Sequence, residues 1–301
     1  QYSHYAVANM TGANRLLVGI GWPTILLTYL LFAKRKSEIR LDSHISFDES
    51  VRSEIFFLLI STIWSFNIFF KKSINLFDSI FLILVFALYI YRSSIEGVEE
   101  LEDDFEPVRT INHLKKSLAV PLIVFMFLWA GFCIFISAEA FAEGLISFGK
   151  RFGINEFLLI QWLAPFASES PEFVVVLIWA LRGRGSDALR ALVSSKVNQW
   201  TLLIGCIPIA YSLSKFIHGV ENPLSGLQLD HRQQWEVFLT SAQSLFAFFI
   251  IYDMNFSFLE AILLASLFLI QFFVEHLREE MAFVYLSLCI PLFILKYYKK
   301  K

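Results

Sequence analysis

The chain has 301 residues, 56% of them hydrophobic and 17% charged, and its formal net charge at pH 7 is −2. Soluble domains are about 45–50% apolar, and here the excess falls in blocks of roughly 16–25 residues, the length of membrane-spanning helices. The composition predicts an all-α, polytopic transmembrane helical protein embedded in membrane lipid. It excludes a transmembrane barrel, because no block alternates apolar with polar residues, and it offers no basic stripe for a nucleic acid.

Nine apolar segments are predicted to span the membrane as helices, in chain order 6–33, 55–70, 77–91, 118–148, 155–181, 186–214, 237–252, 256–274 and 282–297. The main hydrophilic stretch, 93–117, holds an acidic cluster. Because its carboxylates lack the spacing of an EF-hand, a solvated linker is favoured over a Ca²⁺ sensor. The chain then divides into residues 1–92 with about three helices, the linker 93–117, and residues 118–301 with about six helices.

The distribution of Lys and Arg predicts the orientation in the membrane. By the span count, segments 34–54, 92–117 and 182–190 and the C-terminus share one side, which carries most of the basic residues outside the spans. We expect this side to be cytoplasmic, with the N-terminus outside and the C-terminus inside. Because the chain begins with Gln1 and opens almost inside an apolar segment, we also expect a processed N-terminus or a fragment of a longer chain, with no signal peptide.

A polar stretch interrupts the fifth segment, at Leu163-Ala-Pro-Phe-Ala-Ser-Glu-Ser-Pro-Glu172. A charged side chain near the bilayer centre costs roughly 3 kcal/mol or more, and each proline removes a backbone donor. Membrane proteins keep such a segment where it lines a cavity or packs within protein. The stretch therefore predicts a cation site.

Residues three or four apart share a face of a helix, and this spacing brings together oxygen donors on the fifth and sixth segments. The donors are Ser168, Glu169, Glu172, Ser194 and Asn198, with the carbonyls freed by Pro165 and Pro171. Carboxylate, hydroxyl, amide and carbonyl oxygens are the ligands of hard cations such as Ca²⁺ or Na⁺. The alternative is a buried polar network that only holds the helices together.

A weak internal repeat is visible when Asn14 is aligned with Asn198. Segment 13–21 is then aligned with segment 197–205, so that Arg15 corresponds to Gln199 and Gly21 corresponds to Gly205. By the span count the two aligned helices cross the membrane in opposite directions. Repeats of opposite topology, each with a polar-interrupted helix, are typical of secondary transporters with midplane sites.

The sequence Ala167-Ser168-Glu169-Ser170-Pro171-Glu172 resembles the G-T-S-x-P-E core of the α-repeats of the calcium/cation antiporter superfamily, the sodium/calcium exchangers. Gly153-Ile154 is similar to the lead-in of that repeat. The partner helices of the two repeats resemble Thr11-Gly12-Ala13-Asn14 and the segment from Ser194 through Asn198 to Gly205.

The resemblance implies inverted-topology α-repeats of the sodium/calcium exchanger type. It implies that Glu172 is the essential ion-binding carboxylate and that Ser168 and Glu169 fall on the Thr and Ser of the motif. The other implied ion ligands are Asn14, Ser194, Asn198 and the carbonyl of Pro165, with Glu172 and Asn198 as the metal ligands.

Two features depart from the family pattern. The family has a carboxylate helix before the partner helix of its first repeat, and only a few residues precede Asn14 here. Two basic residues, Arg15 and Lys196, also enter the motifs. Three interpretations of Lys196 stand open: it pairs with Glu169, since an unpaired buried charge is expensive, it competes with the cation, or it points to another helix face and snorkels, as Arg15 also could.

Glu139 and Glu143 lie four residues apart on the fourth segment, which by the resemblance corresponds to a mobile gating helix. They are candidates for an outer vestibule that attracts cations. The alternative places Glu143 near the membrane surface.

We expect a secondary active antiporter that exchanges Ca²⁺, or a similar cation, for Na⁺ or H⁺ by alternating access. Proton coupling needs a carboxylate that takes up a proton, and Glu169 beside Glu172 is the candidate. The alternative is a structural or regulatory membrane protein that keeps the fold without transport. No nucleophile–base pair or metal-ligand set is present, so we expect neither an enzyme nor a cofactor beyond the transported ions.

Overall fold

The computed structural model describes residues 3–33, 43–96, 108–153, 158–220 and 222–299. Its helices are α1 (Ser3–Leu16), α2 (Trp22–Thr28), α3 (Arg52–Lys71), α4 (Leu76–Glu96), α5 (Val108–Asn112), α6 (Lys116–Phe152), α7 (Ala164–Leu181), α8 (Gly185–Asn198), α9 (Ile204–Ile217), α10 (His231–Ile251), α11 (Phe258–Phe273) and α12 (Arg278–Lys299). Four π-helical segments are π1 (Leu17–Gly21), π2 (Tyr29–Ala33), π3 (Leu159–Leu163) and π4 (Gln199–Leu203), and four short strands are β1 (His44–Ser46), β2 (Ser73–Ile74), β3 (Leu227–Gln228) and β4 (Asn255–Ser257).

Eight helical segments of the described chain are long and apolar enough to cross a membrane. They are Tyr5–Phe32, Glu49–Lys71, Leu76–Ile95, Lys116–Phe152, Leu159–Leu181, Gly185–Ile217, His231–Ile251 and Arg278–Tyr298. The ninth apolar helix is α11, with 16 residues. The all-α polytopic fold is therefore confirmed, with eight candidate spans and one shorter apolar helix among the described residues. Most of the acidic cluster of the linker, from Glu99 to Glu106, lies outside the described residues, so the division of the chain at 93–117 stays a prediction.

Local sequence sets where two helices of the second half, α10 and α11, begin. Asp230 caps α10, because its side chain accepts a hydrogen bond from the backbone N–H of Gln233, and the side-chain oxygen of Gln233 accepts one from the backbone N–H of Asp230. Ser257 and Glu260 form the same reciprocal arrangement at the start of α11. Such capping boxes satisfy two backbone donors that a helix start leaves free. They therefore fix the residue at which each of the two helices begins.

The strands reveal the inverted repeat. β1 pairs antiparallel with β4, and β2 pairs antiparallel with β3. The alignment of Asn14 with Asn198 places β1 within two residues of β3 and β2 within two residues of β4. In the same alignment α3 corresponds to α10, α4 corresponds to α11, and the α1–α2 segment corresponds to α8–α9. Each sheet therefore joins one strand of each half, and the two sheets are counterparts of each other.

The two partner helices share one irregularity. Each continues past the aligned asparagine into a π-helical segment, π1 in the first half and π4 in the second. A proline follows in both, as Pro23 and Pro208. A π-helical turn inserts one residue into a helix and is frequent at functional sites. The weak sequence repeat thus corresponds to a repeat in backbone geometry.

The largest hydrophobic cluster joins α2, α3, α8 and α10 around Trp22, Leu58, Leu192 and Phe246. These helices come from both halves of the chain, so the core lies between the two halves. Helix α6 stands at the edge of this assembly. Of its described residues only Leu145 and Gly149 are buried. Leu145 belongs to a small hydrophobic cluster with Ala8 of α1 and Ile160 of π3.

Candidate cation site

Helix α7 carries both carboxylates of the polar stretch, and its start is irregular. The π3 segment leads directly into it, Pro165 lies in its first turn, and Pro171 lies inside it. Glu169, between the prolines, is 9% exposed, and Glu172 is half-buried one turn later. The polar interruption therefore folds as a continuous helical segment that presents two carboxylates toward protein.

The partner segment α8–π4 binds each carboxylate with one side chain. Ser195 donates a hydrogen bond to Oε2 of Glu172 at 3.1 Å. Gln199 donates from Nε2 to Oε1 of Glu169 at 2.6 Å. Because Ser195 and Gln199 are four residues apart, one face of the partner segment serves both carboxylates.

Three buried oxygens of the carboxylate helix and the two partner segments have no hydrogen-bond partner among the described residues. They are Oε2 of Glu169, Oε1 of Gln199 and Oδ1 of Asn14. Buried acceptors without a partner are costly unless a water or an ion binds them. Carboxylate and amide oxygens are ligands that hard cations accept, so Glu169 and Gln199, which contact each other, together suit a cation.

The structure places two of the predicted ligands elsewhere. The Ser194 hydroxyl shares a hydrogen bond of 2.5 Å with the hydroxyl of Tyr89, on α4. Asn198 is exposed. The residues that contact the carboxylates, Ser195 and Gln199, each follow a predicted ligand by one position. A polar pair at the spacing i,i+4 was the available signal, and Ser195/Gln199 has the same spacing as Ser194/Asn198.

The remaining predicted ligands lie on α7 and on α1. Ser168 donates to the carbonyl of Pro165 at 3.2 Å, so that both sit on the turn of α7 before Glu169. Asn14 is fully buried, and its Nδ2 donates to the carbonyl of Met10 at 2.9 Å. The Oδ1 atom of Asn14 has no hydrogen-bond partner among the described residues and is free to bind an ion.

Lys196 is 1% exposed and lies between the two halves. Its Nζ donates to the backbone carbonyl of Asn14 at 3.3 Å and lies 4.8 Å from the ring centroid of Trp200. No ion pair joins it to Glu169 within the described chain. The snorkelling interpretation is wrong, because the ammonium is buried, whereas competition with a cation stays open.

Arg15 is also fully buried, which rules out snorkelling for this residue too. Its guanidinium forms an ion pair with Glu236 of α10, and Glu236 has Arg278 as a second partner at 3.2 Å. The guanidinium lies 4.9 Å from the ring centroid of Trp162, in π3. Arg15 therefore links α1, α10 and the segment that leads into the carboxylate helix.

A family model confirms the relationship that these motifs indicate. The model described as sodium/calcium exchanger protein matches residues 1–95 and 122–275. The chain belongs to this exchanger family. Among curated proteins, no significant match to the chain was found.

Solved structures agree with the family assignment. The exchanger chain is similar to the structure titled H⁺/Ca²⁺ exchanger CAX, with 43% identity and a TM-score of 0.89, over 99% of this chain and 72% of the other. It also matches the sodium-calcium exchanger NCX_Mj soaked with Na⁺ and Sr²⁺, with 16% identity and a TM-score of 0.57, over 90% of this chain and 77% of the other. The second likeness is one of fold.

The two acids of α6 lie apart from the carboxylate pair in this exchanger. Glu139 and Glu143 are both exposed, on the helix that packs near π3 through Leu145. Their proposed vestibule role stays a prediction. Among the described residues, no group of three or more His, Cys, Asp or Glu side chains is placed to hold a metal ion, so a cation here would need amide, hydroxyl and carbonyl oxygens as well.

Proposed function

We propose that this exchanger-family protein is a secondary active antiporter that moves Ca²⁺, or a similar cation, against H⁺ or Na⁺. The observation that carries the proposal is the pair Glu169 and Glu172 on α7, each bound by a different side chain of the α8–π4 segment. Two adjacent carboxylates inside a membrane protein are expensive, and a divalent cation offsets both charges at once.

The proposed ion shell extends from this pair. Ca²⁺ takes six to eight oxygen ligands, more than two carboxylates supply. The nearby oxygens of Ser168, Pro165, Asn14, Ser195 and Gln199 are the further candidates. Ser194 and Asn198, the ligands implied by the motif, form the alternative set, because Ser194 contacts Tyr89 and Asn198 is exposed here.

H⁺ is the favoured coupling ion. Protons neutralise two carboxylates as completely as one Ca²⁺ does, so exchange conserves the charge of the site. The similar structure with 43% identity is titled an H⁺/Ca²⁺ exchanger, which supports the same choice. Na⁺ is the alternative coupling ion, and Glu169 is the proposed proton carrier in the H⁺-coupled version.

We place the basic side of the protein in the cytoplasm. Each of the two-stranded sheets joins loops that the span count assigns to one side of the membrane, 44–46 with 255–257 and 73–74 with 227–228. This agreement supports the count on which the orientation rests. Inverted halves with the site between them suit alternating access, because rocking one half exposes the site to either side in turn.

The test is Glu172→Gln in the intact protein, reconstituted in vesicles. The substitution removes one negative charge from the site but preserves the shape of the side chain, so we expect Ca²⁺ exchange to be abolished. Glu280→Gln, at an exposed position of α12, is the matched control and should exchange like the parent. Full exchange by Glu172→Gln would refute the assignment, and absence of flux in the parent would favour the non-transporting alternative.

A further inference from the structure

Basic and acidic side chains both lie between the two halves of the exchanger. The acids are Glu169, Glu172 and Glu236, and the bases are Arg15, Lys196 and Arg278. Buried charges are expensive even when paired. Lys196 is a candidate competitor of the cation, whereas the contacts of Arg15 described so far give it no role in transport.

The inverted repeat shows which residue of the second half corresponds to Arg15. The alignment of Asn14 with Asn198 places Thr11 over Ser195 and Arg15 over Gln199. Ser195 and Gln199 are the two side chains that bind Glu172 and Glu169. Arg15 is therefore the first-half counterpart of a side chain that, in the second half, bonds a site carboxylate and keeps a free amide oxygen.

The contacts of the first-half pair differ from those of the second-half pair. The Thr11 hydroxyl donates to carbonyls of its own helix, at 2.9 Å to Val7 and 3.1 Å to Ala8. Arg15 offers no acceptor, since a guanidinium has only donors and keeps its charge in proteins. Where the second half supplies an amide oxygen, the first half supplies a fixed positive charge.

The surroundings hold this charge in place. Glu236 pairs with it, the ring of Trp162 lies under it, and its Nε donates to the Thr11 carbonyl at 3.4 Å. Trp162 in turn packs edge-on against Phe268, at 5.5 Å between ring centroids. A guanidinium that is paired with a carboxylate and stacked on an aromatic ring keeps its position. Its charge is therefore a permanent part of the protein, unlike the charge of a transported ion.

We propose that Arg15 is a built-in cation that occupies the first-half counterpart of the Gln199 position and thereby excludes Na⁺ as a coupling ion. This inference rests on the proposed antiport function. With the charge in place, a monovalent cation gains no oxygen ligand at this first-half position and meets repulsion there, whereas the Gln199 position of the second half offers a free amide oxygen. Protons are accepted by the carboxylates themselves and need no such position.

The test is Arg15→Gln, which copies the residue of the second half. Glu236 keeps Arg278 as a partner in this variant, so no acid is left alone. Ca²⁺ uptake is measured in proteoliposomes of the intact protein while an H⁺ gradient and a Na⁺ gradient are applied separately. We expect Na⁺ to inhibit the variant at a concentration at least tenfold lower than the parent requires.

Two further variants separate charge from structure. Arg15→Lys keeps the charge and should retain the Na⁺ response of the parent. Arg278→Gln removes the other cation bound to Glu236 and should also leave the Na⁺ response unchanged, because Arg278 does not lie at the repeated position. A shift in Arg278→Gln equal to that in Arg15→Gln would overturn the inference.

The parent alone already tests the inference. With Arg15 in place, an imposed Na⁺ gradient should not drive Ca²⁺ uptake, and a parent driven by Na⁺ would overturn the role of Arg15 while leaving antiport intact. A folded Arg15→Gln with the Na⁺ response of the parent would overturn it too. A parent without any coupled flux would instead remove the proposed function itself.

Discussion

At the scale of residues, the carboxylates of α7 are each held by a different side chain of one partner segment. The bond from Gln199 to Glu169 is short, at 2.6 Å, and the bond from Ser195 to Glu172 is 3.1 Å. Hydrogen bonds to charged groups contribute about 1.5–3 kcal/mol. Gln199 therefore does much to fix the position of Glu169, and its free Oε1 adds a possible ligand.

This arrangement predicts different effects for two adjacent substitutions. Gln199→Ala should raise the half-saturating Ca²⁺ concentration about tenfold, which corresponds to ~1.4 kcal/mol, because Glu169 loses its partner. Asn198→Ala should stay close to the parent, since Asn198 is exposed in the structure. Ca²⁺ uptake at graded concentrations measures both. A larger effect in Asn198→Ala would support the ligand set predicted from the motif instead.

At the scale of elements, α1 and the π3 segment approach each other closely. A Cβ added at Gly12 would lie 1.7 Å from the carbonyl oxygen of Gln161. Gln161 is fully buried, and its segment leads directly into α7. The absence of a side chain at Gly12 therefore sets how near the first-half partner helix comes to the carboxylate helix.

Gly12→Ala should force these two elements apart. We expect a loss of stability of roughly 1–3 kcal/mol, the usual cost of overpacking, together with weaker Ca²⁺ binding because α7 moves relative to α1. Thermal unfolding in detergent and Ca²⁺ binding measure the two effects.

Gly131→Ala is the matched control for this substitution. Gly131 lies in α6 with nothing within 4 Å of an added Cβ. Alanine in a helix is more stable than glycine by roughly 0.5–1 kcal/mol, so the control should be neutral or stabilising. Equal behaviour of the two variants would show that the contact between α1 and π3 does not limit the site.

At the scale of the whole molecule, the sequence predicted what depends on local pattern. Apolar length gave the nine spans, the polar stretch 163–172 gave the carboxylates, and the aligned asparagines gave the repeat. The contact of Ser195 and Gln199 with the carboxylates was missed, because two adjacent polar pairs have the same helical spacing and a π-helical turn begins between Asn198 and Gln199. The Arg15–Glu236 pair was missed because the two residues are 221 positions apart.

The same repeat organises the whole exchanger. Two counterpart sheets tie the halves together on opposite faces of the helical bundle by the span count, and the largest core cluster lies between the repeated helices. The carboxylate pair is bonded to Ser195 and Gln199 of the second-half partner segment, and α7 also packs against α1 of the first half. A change in the angle between the halves would therefore act directly on the site.

The central claim is tested most directly by recording Ca²⁺ and H⁺ movements at the same time in proteoliposomes of the intact protein. We predict that Ca²⁺ entry is accompanied by H⁺ exit in a fixed ratio, that an imposed H⁺ gradient drives Ca²⁺ uptake, and that Glu172→Gln abolishes both fluxes together. Ca²⁺ entry with no counterflow of H⁺ or Na⁺, or coupled flux that persists in Glu172→Gln, would contradict the account.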